Sequence, residues 1–166
     1  MRAFPLTRKK SSINNLQMPP ITVLAVDDYE PFRRLLCSMV HEESHFQIVG
    51  EASDGLEAVH MAEELRPDVI LIDIRLPKMN GFHAMRRILR TVPECKIVFL
   101  TQENSADVVQ EAFRLGASGY VTKVMAGTEL IKALEAVSKG QQFVSADIHE
   151  ITTSPEHVRM ARPTKI

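Results

Sequence analysis

VILIDIRLP, residues 69–77, sends four apolar residues straight into Asp73, with Pro77 four positions further on. A short strand that is apolar on both faces belongs inside a sheet covered on each side, the usual setting of a parallel strand. A carboxylate at the end of such a strand either terminates it or carries chemistry. The choice depends on what the neighbouring strands end in.

Working outward, the chain alternates. ITVLAVD (21–27) is a short β-branched run. A helical stripe of Phe32, Leu35, Leu36, Met39 and Val40 follows, opened by Pro31, whose missing N–H does no harm in a first turn. FQIVGEA (46–52) reads as strand. Residues 54–65 read as helix, with Leu56, Val59, Ala62 and Leu65 in register. Asp54-Gly55 has the look of a hairpin turn, but the stripe after it makes Asp54 a helix cap. After the strand 68–73, Asn80-Gly81 is read the same way, because Phe82, Met85, Ile88, Leu89 and Val92 recur at helical spacing. CKIVFLT (95–101) is a fourth strand, 105–116 a helix closed by Gly116, SGYVTK (118–123) a fifth strand, and 127–140 a helix closed by Gly140. Strands alternating with helices predict an α/β fold: a doubly wound, five-stranded parallel sheet with helices on both faces.

Composition agrees. The chain has 166 residues, 45% hydrophobic, which suits one domain with a real core. Its formal net charge is −1, so it exerts no general pull on nucleic acid or anionic membrane. Residues 1–20 carry Arg2, Arg8, Lys9 and Lys10 without an acid and read as a basic, disordered leader, with Met18 as an alternative start. The rest holds 16 basic against 21 acidic residues. Cys37 and Cys95 have no metal-type spacing and read as reduced core thiols of a cytoplasmic protein. The six histidines are scattered without a ligand pattern, and no apolar run approaches a membrane span.

In such a sheet, ligands bind beyond the carboxyl ends of the strands. The first strand ends at Asp27-Asp28, the third at Asp73, the fourth at Thr101 and the fifth at Lys123. Singly, each has a structural reading as a cap or a strand end. Together they put three carboxylates in one crevice. At about 4 Å, each pair repels by about 4 kcal/mol at an effective dielectric near 20. A cation must offset that, and oxygen ligands on an open site suit Mg²⁺.

The stretches VLAVDD, EASDGLEAV, DVILIDIRLPKMNGFHA, IVFLT, GASGYVTK and GTELIKAL together resemble the receiver domain of two-component response regulators, over residues 21–140. The resemblance implies a flavodoxin-like sheet in the order 2-1-3-4-5. It implies that Asp73 accepts a phosphoryl group from a sensor histidine kinase or phosphotransfer protein. Asp27 and Asp28 would hold Mg²⁺ with Asp73 and the backbone carbonyl of Arg75, Asp28 being the direct ligand of the acidic pair. Thr101 and Lys123 would bind the phosphoryl oxygens. Thr101 and Tyr120 would form the switch, with Tyr120 turning from an exposed to a buried position and altering the face built from 103–115, 118–122 and 127–139. Pro77 and Gly81 would shape the pocket, and Arg75 and Glu103 would border the attacking water. Self-phosphorylation and slow self-dephosphorylation would be its only chemistry, with a phosphorylation-dependent dimer as one mode of output. Val124 and Met125 depart from the small or proline residues usual after the lysine.

The stretch ELIKALEAVSKGQQFVSADI resembles the exit of receivers that precede a LuxR-type helix-turn-helix. Residues 141–166 then read as a tail without a DNA-binding domain, broken by Pro155 and Pro163. The expectation is a stand-alone receiver without direct nucleic-acid or membrane contact. The alternative is a truncated or partner-dependent transcriptional regulator that binds DNA. A phosphohydrolase of the haloacid-dehalogenase type also uses an aspartyl phosphate, a Thr/Ser and a Lys. It places the nucleophile on the first strand with a second aspartate two residues on; here Arg75 stands two after Asp73.

Overall fold

In the computed structural model, residues 18–148 are described. The sequence elements form in the expected order: β1 (Ile21–Val26), α1 (Glu30–His41), β2 (Phe46–Ala52), α2 (Gly55–Leu65), β3 (Val69–Ile72), α3 (Gly81–Thr91), β4 (Lys96–Thr101), α4 (Ala106–Arg114), β5 (Gly119–Thr122), α5 (Ala126–Ser138) and β6 (Phe143–Val144). A 3₁₀ turn over Lys123–Met125 leads into α5. The sheet is wholly parallel, in the order β2-β1-β3-β4-β5-β6. The expected five strands thus gain a sixth at the edge, within a stretch the sequence marked as tail. Only two residues pair there, and no periodicity can be read from two residues.

Val69, Ile70, Leu71 and Ile72 of β3 are all fully buried, two on each face of the sheet. Burying each such side chain stabilises by about 1.5–3 kcal/mol before entropy. Ile70 and Ile72 pack with α2, α3 and α4, and Val69 and Leu71 with α1 and α5. This central, doubly covered strand holds the residue that follows it, Asp73, in a rigid frame.

The helices follow their periodicity with local shifts of face. In α2 the buried residues are Ala58, Val59 and Ala62, while Leu56 and Leu65 are partly exposed. In α1 Leu36 and Val40 are buried and Leu35 lies out. Asp54 caps α2 as expected, its Oδ1 accepting from the Glu57 N–H at 2.8 Å, and Asn80 caps α3 by accepting from the His83 N–H at 3.0 Å. Both Asx-Gly pairs therefore start helices, because each glycine packs where a side chain would collide. A Cβ on Gly55 would lie 1.8 Å from the Met79 carbonyl oxygen, and one on Gly81 would lie 2.2 Å from that of Asp73.

The short β6 is held by buried polar groups. Ser145 Oγ donates to Glu129 Oε2 at 2.5 Å and accepts from the Thr122 N–H at 3.1 Å; the Ala146 N–H donates to Glu129 Oε1. Thr122 Oγ1 donates to Asp147 Oδ2 at 2.8 Å. Cys37 is partly buried and Cys95 buried, and burial raises their thiols to about 11 and about 12, so both are protonated and inert at neutral pH. The basic leader through residue 17, and the tail from residue 149 with its prolines, lie outside the described residues.

Candidate functional site: an acidic cleft at the strand ends

The carboxyl ends of β1, β3, β4 and β5 converge as parallel neighbours must. Lys123 Nζ lies 2.6 Å from Asp27 Oδ2 and 2.7 Å from Asp73 Oδ2, so one ammonium joins the ends of three strands. The Lys123 side chain is mostly covered and its ammonium stands 4.8 Å over the Phe32 ring. Burial works against that charge, but hydrogen bonds to Asp27 and Asp73 outweigh it and hold the lysine above its ordinary range. Asp27 is almost fully buried; that burial raises its carboxyl above the ordinary range despite the bonds it accepts from Lys123 and from the Tyr29 N–H.

Oxygens of Asp27, Asp28 and Asp73 lie within 4.8 Å of one another. Asp28 is exposed and makes no hydrogen bond or ion pair among the described residues, so its carboxylate is free to take a ligand. Asp73 Oδ1 accepts a long bond, 3.4 Å, from the Arg75 N–H. A set made only of hard oxygens, with one free carboxylate on an open side, fits a divalent cation that keeps part of its water shell. The cleft holds about 540 Å³ and is bordered by Tyr29, Phe32, Arg75, Gln102 and Val124. A larger groove of about 970 Å³ runs along α3, but the converging charges are here.

The structure brings Glu103 into the site more firmly than its spacing suggests. Its carboxylate pairs with the Arg75 guanidinium across the mouth of the cleft. Its N–H donates to Thr101 Oγ1 at 3.3 Å, and its carbonyl accepts from the Tyr120 hydroxyl at 2.8 Å. Three residues singled out from sequence are thus joined through a fourth. Nothing in the sequence showed this hub, because two of its three contacts run through the backbone.

Tyr120, expected to start exposed and turn inward, is instead fully buried, with its ring 6.2 Å from Phe99. The Glu103 carbonyl satisfies the hydroxyl, which removes the cost of burying it. Burial raises the phenol far above its ordinary range, so it stays protonated. Thr101 is also buried. The two apolar residues after Lys123 separate: Val124 is 88% exposed at the rim, while Met125 is partly covered.

A parallel sheet that runs β2-β1-β3-β4-β5, with aspartates and a lysine meeting at its carboxyl edge, is the arrangement of the receiver class. Residues 23–135 match the family model of the response regulator receiver domain, and the chain belongs to that family. Among its relatives, it is 35% identical over 128 residues to the response regulator GacA of Pseudomonas viridiflava, covering 77% of this chain and 60% of that one. It is 38% identical to the transcriptional regulatory protein LiaR of Bacillus subtilis, over 77% of this chain and 61% of the relative. Among solved structures, a LuxR-family two-component response regulator from Aurantimonas sp. SI85-9A1 superposes with a TM-score of 0.77 at 30% identity, over 85% of this chain and 97% of that one. The response regulator domain of Thermotoga maritima CheB gives 0.68 at 32% identity, over 72% and 97%. The chain spans 60% of the length of the GacA relative and 61% of LiaR. Membership in a signalling family sets the phosphohydrolase reading aside. No helix among the described residues is long and apolar enough to cross a membrane.

Proposed function

We propose that this receiver takes a phosphoryl group onto Asp73 from the phosphohistidine of a sensor kinase or phosphotransfer protein, with Mg²⁺ held by Asp27, Asp28, Asp73 and the carbonyl of Arg75. The observation that carries the reading is the sharing of Lys123 between Asp27 and Asp73 at the ends of three neighbouring strands. An anionic carboxylate attacks an anionic phosphoryl group poorly. Lys123 offsets that repulsion and is already within bonding distance of the nucleophile. Bound Mg²⁺ would neutralise further charge on the phosphoryl oxygens. The P–N bond of the donor breaks as the Asp73 O–P bond forms, and the imidazole leaves. Thr101 then donates its hydroxyl to the new anion. Arg75 and Glu103, paired across the mouth, border the path of the water that later hydrolyses the acyl phosphate. The protein acts as a switch rather than a turnover enzyme.

Incubation with acetyl phosphate and Mg²⁺ is expected to add a single phosphoryl mass to the protein, and Asp73→Asn to abolish it. Undiminished labelling of that variant would remove Asp73 from the role. Relatives include proteins described as transcriptional regulators, so the second reading is DNA binding by the whole molecule. A gel-shift titration with and without residues 1–17 separates the two, since the switch reading expects no shift in either.

A further inference from the structure

Between Asp73 and Glu94 the chain carries Arg75, Lys78, Arg86, Arg87 and Arg90 and no acid, although its net charge is −1. The fold gathers four of these five cations along one groove of about 970 Å³ between α3 and the end of α4, where Arg114 joins them. The two ends are neutralised: Lys78 Nζ lies 2.7 Å from Asp54 and Arg114 2.6 Å from Glu111. The middle is not. Arg86, Arg87 and Arg90 are exposed and have no ion pair within 4 Å among the described residues, although Arg86 lies near enough to Glu111 to add to its acidity after Arg114. The floor between them is apolar, formed by Leu76, Met79, Leu89 and Leu115, all partly exposed.

We infer that this groove docks an acidic amphipathic helix of a partner protein, with apolar side chains on the floor and carboxylates on Arg86, Arg87 and Arg90. Three features choose that occupant. The cations that lack ion pairs all stand on α3 along this groove, which calls for a row of carboxylates. The floor is apolar, and a nucleic-acid backbone would meet the rim but leave the floor in water, whereas an amphipathic helix covers both. From Asn80 to Arg90 the groove follows α3 for about 16 Å, three turns, enough for anchors at i, i+3 or i+4, and i+7. Guanidinium groups suit this role because they bind carboxylates bidentately with little loss of freedom. The groove opens at the loop that follows Asp73, so it lies beside the proposed phosphorylation site without sharing a residue with it.

The test is a peptide display library of random sequence panned against the full chain, followed by fluorescence anisotropy with a labelled synthetic copy of the recovered peptide. The expected winners are rich in Asp and Glu with apolar residues at helical spacing. Their affinity is expected to fall about tenfold or more in Arg86→Glu/Arg90→Glu and in the milder Arg86→Gln/Arg90→Gln. It should be unchanged in Arg34→Glu, an exposed position on α1. Equal melting temperatures of the variants show that folding is intact; these exposed positions make the glutamine pair a safe second form. Recovery of no saturable binder, of peptides without acidic enrichment, or of peptides that bind the glutamate variant as well as the parent overturns the inference. So does duplex DNA that displaces the peptide with the same arginine dependence, which would make the groove a nucleic-acid surface.

Discussion

Asp28 and Asp27 are neighbours in sequence and opposites in setting. Asp27 is buried under Lys123, and Asp28 is exposed and unpaired. Asp28→Asn therefore removes a free carboxylate and a like charge while disturbing little packing. The metal-free protein is expected to melt slightly higher in this variant, and the Mg²⁺-dependent rise in melting temperature to vanish. Thermal melts with and without Mg²⁺ measure both, and normal Mg²⁺ stabilisation would take Asp28 out of the ligand set. The sequence pointed to both residues as strand-end carboxylates. The family resemblance also singled out Asp28 as the direct ligand, but the burial of Asp27 against Lys123 was not legible there, because it depends on which side of the β1 end Lys123 reaches. Glu103 was legible only as a border residue. Its part in joining Thr101, Tyr120 and Arg75 depends on backbone direction in a loop, which side-chain spacing does not encode.

At the scale of elements, β6 depends on its neighbours more than on itself. Ser145 satisfies both the Thr122 N–H and Glu129 Oε2, all in the interior next to the strand that leads into Lys123. Ser145→Ala leaves a buried amide and one carboxylate oxygen without their partner. Each such loss costs about 1–3 kcal/mol, so a fall in stability on the order of 2–6 kcal/mol is expected. Denaturant unfolding reads the loss, and hydrogen exchange should quicken first at Thr122 and Ala146. A change within a few tenths of a kcal/mol would mean that water replaces the hydroxyl. The helices and the five longer strands were readable because their periodicity runs for several residues. The sixth strand is paired by two residues and fixed by side chains from other elements, so local sequence could not announce it.

For the whole molecule, two behaviours are expected. The first concerns acid. Lys78, by its hydrogen bond, and then the Glu57 N–H hold the Asp54 carboxyl below its ordinary 3.8, while Asp54 raises Lys78 above its ordinary 10.5. A depressed carboxyl stabilises the fold above its unfolded value and loses that contribution as pH falls through the folded one; a raised lysine loses its share only as pH climbs through its folded value. The melting-temperature gap between the parent and Lys78→Met should therefore be level between 3.8 and 10.5 and shrink below 3.8. A gap that persists in stronger acid would mean the lysine acts through packing alone. The second concerns the switch. Since Tyr120 is already inside, phosphorylation is expected to act by drawing the Thr101 hydroxyl away from the Glu103 N–H and so shifting the loop that carries Tyr120's acceptor. Moving a two-state balance from 1:99 to 99:1 needs roughly 5.5 kcal/mol. One or two charge-assisted hydrogen bonds give about 1.5–3 kcal/mol each, so the shift should stay incomplete until a partner binds. Amide NMR with beryllofluoride and Mg²⁺ should perturb residues 103–115 and 118–122 as well as the cleft. Shifts confined to Asp28, Asp73 and Lys123 would break this route.

The sequence by itself determined the alternation of strands and helices, the doubly covered central strand and the chemistry waiting at each strand end. Hydrophobic period and the residue after the last apolar position are local properties. Tertiary structure decided the rest. It chose which carboxylates share Lys123, buried Tyr120 beneath Glu103, added β6 through Ser145 and Glu129, and gathered the arginines of α3 against the end of α4. Each of these joins groups that are distant in the chain or run through backbone atoms. Only the packing of helices on a twisted parallel sheet fixes where such groups meet.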